Sequence, residues 1–294
     1  MARRFGAFLS LSVVLSGGIQ PTALFAQEWT LEADVELATK YEWRGLQLDP
    51  GFNIQYAVYG SFAWEDLMLT AGVWSLTDLS SEAEGLPKRW AFETSPWIEA
   101  SFGGNRGEVL AGLTGYFLRD PELGTEFRRG NTREVYAGAR GAMPGAPLLG
   151  EAIVFWDVDR VGGVYGEVAV TLQIPVWVGL VVPIGSMFLE GRTGIALGQE
   201  RRVDDTEASD YNFAERGFTH LDISLRTTLL PVPAGPFTAS LTIVGHWVRG
   251  LDPETTLIGV RVGGPSDQTR WWWGLGLRFT FPRCRPEREL CQDL

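Results

Sequence analysis

The chain has 294 residues, with 12 tryptophans, 36 glycines, a mean hydropathy near zero and a formal net charge of −11. That acidity argues against a nucleic-acid partner. Beyond the N-terminus no run of about 18 or more apolar residues occurs, which excludes a helical membrane protein, and no metal cluster, phosphate loop or dinucleotide fingerprint appears, so no cofactor is expected and the chain does not read as an enzyme.

Residues 1–26 have the form of a cleaved secretory signal: Arg3 and Arg4, an apolar core from Phe8 to Leu15, breakers at Gly17, Gly18 and Pro21, and small residues before the cut near Ala26. Its removal takes the net charge from −11 to about −13.

Residues 30–44 then alternate without a break. Leu31, Ala33, Val35, Leu37, Thr39, Tyr41 and Trp43 share one face, and Glu32, Asp34, Glu36, Lys40, Glu42 and Arg44 the other. A period of two is a strand, and one apolar face with one charged face suits a strand between lipid and water. The same pattern predicts further strands over 52–64, 67–76, 90–102, 109–117, 132–142, 149–156, 164–172, 188–197, 219–229, 237–247 and 271–281. In the last, Trp271, Trp273, Leu275, Leu277, Phe279 and Phe281 form an unbroken apolar face with aromatics at both ends.

The connections sort by length. One side receives 65–66, 103–107, 143–147, 175–183 and 231–236; the other receives 45–51, 77–89, 119–130, 157–163, 199–216 and 249–270. Short turns on one side and long loops on the other are the asymmetry of bacterial outer-membrane barrels. The expected fold is therefore all-β: an antiparallel transmembrane β-barrel of about twelve strands over residues 27–281, with short periplasmic turns and longer extracellular loops. If 176–182 and 255–262 are also strands, the count becomes about fourteen. Residues 282–294 form a periplasmic tail holding Cys284 and Cys291, which export would allow to form a disulfide or leave as two thiols.

The expected lumen face carries Glu32, Asp34, Glu36, Lys40, Glu42, Arg44, Glu93, Glu99, Glu167, Glu190, Arg192, His220, Asp222, Arg226, His246 and Arg278, with Arg140. An acid-rich wall favours cations. Arg44 has two readings: contact with a solute at the mouth, or pairing with a lumen carboxylate to fix the first loop. His220, Asp222 and Ser224 could supply base, orienter and nucleophile, but neighbours on one strand stand side by side and no nucleophile elbow is present.

The segment Tyr41-Glu42-Trp43-Arg44-Gly45, followed by Phe52-Asn53-Ile54-Gln55, Tyr59-Gly60 and Ala71-Gly72-Val73-Trp74-Ser75, resembles the TorF-type porin family of bacterial outer-membrane barrels, also labelled Gcw_chp. The likeness covers residues 35–76. Leu46-Gln47 replaces the family's Ser-Gln, and Trp74 and Ser75 are adjacent where the family has a residue between them. The resemblance implies a barrel and a pore, with no known substrate. The function expected is an outer-membrane porin of a Gram-negative bacterium, passing small solutes by passive diffusion with a weak cation preference. The alternatives are a non-conducting structural or partner-binding barrel and, third, a barrel hydrolase. Outer-membrane lipid and small solutes are the expected partners, and a homo-oligomer is one option.

Overall fold

Each wall strand follows from the period of two: apolar residues on one face, small, polar or aromatic residues on the other. The computed structural model describes residues 28–44, 46–49, 51–79, 92–104, 107–119, 132–143, 145–159, 162–174, 184–198, 216–229, 231–234, 237–251 and 269–281. The strands are β1 (Glu28–Ala38), β2 (Tyr41–Trp43), β3 (Leu46–Asp49), β4 (Asn53–Trp64), β5 (Leu67–Asp78), β6 (Phe92–Gly104), β7 (Gly107–Arg119), β8 (Thr132–Ala142), β9 (Leu148–Asp157), β10 (Val164–Ile174), β11 (Ile184–Gly198), β12 (Gly217–Leu229), β13 (Val232–Ala234), β14 (Phe237–Gly250) and β15 (Thr269–Thr280).

Twelve of them close a ring. Its order is β1, β4, β5, β6, β7, β8, β9, β10, β11, β12, β14 and β15, every neighbour antiparallel. Closure comes from β1 against β15 (Val35 opposite Leu277) and β12 against β14 (Ser224 opposite His246). The ring closes without 176–182 or 255–262, so the fourteen-strand alternative falls; both stretches lie outside the described residues, as do residues 1–26, the tail and its cysteines. The short β13 adds to the foot of β14.

The outer face is a belt. Val35, Val58, Val73, Ile98, Val154, Val168, Ile243 and Leu275 are exposed around its middle. Exposed Trp156, Trp271 and Trp273 stand at the loop end, and Trp29, Phe62, Trp64 and Phe102 at the turn end. Apolar residues with aromatics at both rims match a hydrocarbon slab with two interfaces. At the turn end, Trp64 pairs with Leu67 across the two-residue turn Glu65-Asp66, where Glu65 takes a left-handed φ of 53°.

The first strand differs from the sequence expectation. The wall strand stops at Ala38, not Arg44. The Thr39 amide still donates to the Trp273 carbonyl (3.0 Å), and the chain then leaves the wall. Tyr41–Trp43 and Leu46–Asp49 pair as a separate hairpin, β2 against β3. Tyr41, expected on the lipid face with Trp43, is 3% exposed and lies inside the barrel. A spanning strand needs only about ten tilted residues, so the eleven of β1 suffice.

Candidate functional site: a charged lumen crossed by the first loop

The inward faces of the wall strands alternate carboxylates, arginines and aromatic rings. Glu32, Asp34 and Glu36 project from β1, Glu93 and Glu99 from β6, Glu167 from β10, Glu190 and Arg192 from β11, His220, Asp222 and Arg226 from β12, His246 from β14 and Arg278 from β15. Lys40 is half-buried in the connection that leaves β1. Glu108, Glu134, Glu151, Asp157 and Arg270 join them; the sequence reading missed these five, although each sits on the inward parity of its strand.

Most ion pairs run along the wall. Arg140 on β8 bonds Glu108 on β7 and reaches Glu99 on β6 (3.3 Å). Arg192 bonds Glu167 on β10, Glu190 on its own strand (2.9 Å) and Glu151 on β9 (3.7 Å). Arg278 donates to Asp34 on β1 (2.9 Å), and the Tyr59 hydroxyl donates to Glu32 (2.6 Å). Each arginine is held by carboxylates on neighbouring strands, so the charges line the bore instead of bridging it.

The rings also lie against the wall, because inward glycines leave room for them. A Cβ on Gly72 would stand 2.6 Å from the Tyr59 Cβ and 3.1 Å from the Trp97 ring. At Gly112 it would meet the Tyr136 ring and stand 2.6 Å from the Ile98 carbonyl oxygen. Tyr136 stacks on toward Phe155 (5.5 Å between ring centres), and Phe155 toward Tyr165 (6.2 Å).

Among the described residues, one element crosses. Arg44, at the tip of the β2–β3 hairpin with a left-handed φ of 52°, donates two parallel hydrogen bonds to Glu134 on β8, both 2.7 Å. Its guanidinium lies over Phe155 on β9 (4.8 Å) and Tyr165 on β10 (4.2 Å). β9 is the wall strand opposite β1 in the ring. Tyr116 donates its hydroxyl to the same carboxylate (2.9 Å). Burial works against the Arg44 charge, yet Glu134 outweighs it and holds the guanidinium above its ordinary range. Nearer β1, the Tyr41 hydroxyl donates to Glu93 (3.4 Å), its ring meets Trp74 (5.6 Å), and Arg270 donates to Glu42 (2.8 Å).

The row His220, Asp222, Ser224 does not converge. His220 Nδ1 lies 2.9 Å from Thr219 Oγ1. Asp222 instead holds His246, whose Nδ1 is 3.1 Å from each carboxylate oxygen and whose ring stacks on Trp272 (3.8 Å).

The closed ring, the apolar belt with aromatic rims and the charged interior decide the class. The chain folds as an outer-membrane-type β-barrel. No family model matches it, and no curated protein matches its sequence, so the likeness of its first hairpin to TorF-type porins remains a local one. Among solved structures, an outer membrane channel from Pseudomonas putida F1 is 10% identical, covering 90% of this chain and 98% of that one at a TM-score of 0.45. The monoaromatic hydrocarbon channel TodX, as a deletion mutant, is 8% identical over 88% of this chain and 91% of its own (TM-score 0.39). OmpT, an outer membrane protein of Vibrio cholerae, is 8% identical over 90% and 100% (TM-score 0.34). All three scores lie below 0.5, so the barrel's class rests on its own strands and belt.

Proposed function

We propose that this barrel is an outer-membrane channel for small hydrophilic solutes, with termini and short turns toward the periplasm and a weak preference for cations. The observation that carries it is the direction of the lumen ion pairs: Arg140, Arg192 and Arg278 are tied to carboxylates on their own side of the ring. A barrel built only to be solid would bridge its bore with such pairs, whereas charges held against the wall leave a polar track for water and ions. Asp34, Glu108, Glu190 and Asp222 keep 16–22% of their side chains accessible along that track. Transport would be passive.

A second reading, a non-conducting barrel, is favoured by one feature: the buried Arg44–Glu134 pair crosses the bore. Planar bilayers separate the two. Purified, folded protein with heat-modifiable mobility is expected to give discrete conductance steps. Silent bilayers from such protein would overturn the channel and leave the closed barrel.

A further inference from the structure

The Tyr-x-Trp-Arg segment singled out in the sequence has no place in the wall, and its side chains reach three separate sectors of the ring. Tyr41 is held at β5 and β6 by Trp74 and Glu93. Glu42 is held at β15 by Arg270. Arg44 is held at β8, β9 and β10 by Glu134, Phe155 and Tyr165. Three anchors spread round a circle fix a bar in its plane, as one or two would not. The anchors also share a height: Glu93, Glu134, Phe155, Tyr165 and Arg270 all stand near the loop ends of their strands.

We propose that residues 41–44 form a crossbar just inside the loop-end mouth, latched to the far wall by Arg44 and Glu134, and that this crossbar sets the size of solute the barrel passes. The inference rests on the reading of the barrel as a channel. The latch has the chemistry of a fixed closure. Both partners are almost fully buried, at 4% and 5% side-chain exposure. The planar guanidinium meets the carboxylate through two parallel bonds, a geometry that lysine cannot reproduce. Tyr116 donates to the Glu134 carboxylate as well, holding it in place for the fork. Phe155 and Tyr165 take the guanidinium on their faces, adding attraction and excluding water from the pair. Any solute passing the mouth goes round this bar or displaces it.

The test compares the wild type with Arg44→Ala, Glu134→Gln and the charge-swapped double variant Arg44→Glu/Glu134→Arg, each first shown to be a folded, heat-modifiable barrel. Single-channel conductance and the entry of sugars of rising size into proteoliposomes give the size limit. A second readout needs no conduction. With Cys284 and Cys291 replaced by Ser, Ala196→Cys places one thiol at an inward position that is 1% exposed and belongs to the same buried cluster as Tyr41 and Tyr165. A small thiol reagent then reports whether the crossbar covers it.

Loss of either latch partner is expected to raise conductance several-fold and admit larger sugars. It should also speed labelling at position 196 several-fold, with the double variant moving both readouts back toward wild type. Wild-type steps with an unchanged size limit in Arg44→Ala and Glu134→Gln would overturn the crossbar and leave the channel standing. If every variant is silent in bilayers, the channel reading falls; the size-setting role falls with it, and faster labelling then identifies the bar as a structural strut alone.

Discussion

Gly112 carries more of this barrel than its size suggests. Its missing side chain is the space into which the Tyr136 ring folds, and the Ile98 carbonyl stands 2.6 Å from where a Cβ would be. The ring can turn away, but the carbonyl belongs to the wall and can move only with the β6–β7 pairing. Gly112→Ala is therefore expected to destabilise the folded barrel by about 1–3 kcal/mol, the usual cost of forced overpacking. Urea unfolding followed by loss of heat-modifiable mobility would check it, and an unchanged midpoint would show that Tyr136 alone absorbs the methyl group. Facing was legible at this scale: the inward set Glu32, Asp34, Glu36 and the outward set Leu31, Ala33, Val35 follow directly from the alternation. What alternation leaves out is how far an inward side chain projects. That depends on the residue across the pair, as with Gly72 beside Tyr59 and Gly112 beside Tyr136, which no single-strand pattern contains.

At the scale of elements, the wall strands were readable and the first loop was not. Residues 30–44 keep one period of two throughout, yet the chain leaves the wall after Thr39. The pattern persists because the inward segment is itself a strand, β2, and a period of two reports extended backbone without saying which sheet it joins. A clue did exist: Tyr41 and Trp43 overrun the length that a tilted span requires. For the wall strands, the lipid face makes the firmer claim. Leu275 sits mid-strand on β15, outward between Ile243 and Leu37. Leu275→Arg places a charge near the slab's centre and is expected to cost about 2–4 kcal/mol. Ser240→Arg, on the inward face of the neighbouring β14, should cost far less. Folding yield into lipid vesicles, read by mobility, compares the two; equal losses would mean that the outward belt does not face hydrocarbon.

Over the whole molecule, the described lumen is an acidic surface in which Arg140, Arg192 and Arg278 are each held by carboxylates. Arg140 faces Glu99 and Glu108, and Arg192 faces Glu151, Glu167 and Glu190. Each cluster therefore carries more negative than positive charge, and the excess lies where water reaches, as at Glu108 and Glu190. Screening is weak at the few ångströms that separate such a wall from an ion on the axis, since the Debye length at physiological salt is about 8 Å. Cations should thus be drawn in and anions repelled, and in a salt gradient the reversal potential should have the cation-preferring sign. Replacing Glu108 and Glu190 together with Gln removes two accessible carboxylates and loosens the hold on Arg140 and Arg192. The reversal potential is then expected to move toward the anion side, with little change in size limit, because neither residue touches the crossbar. High salt should shrink the difference between the two proteins, as it does for any preference set by charges at a distance. A wild-type channel that prefers anions, or a double variant with an unmoved reversal potential, would mean that selectivity is set elsewhere than by the ion pairs along this wall.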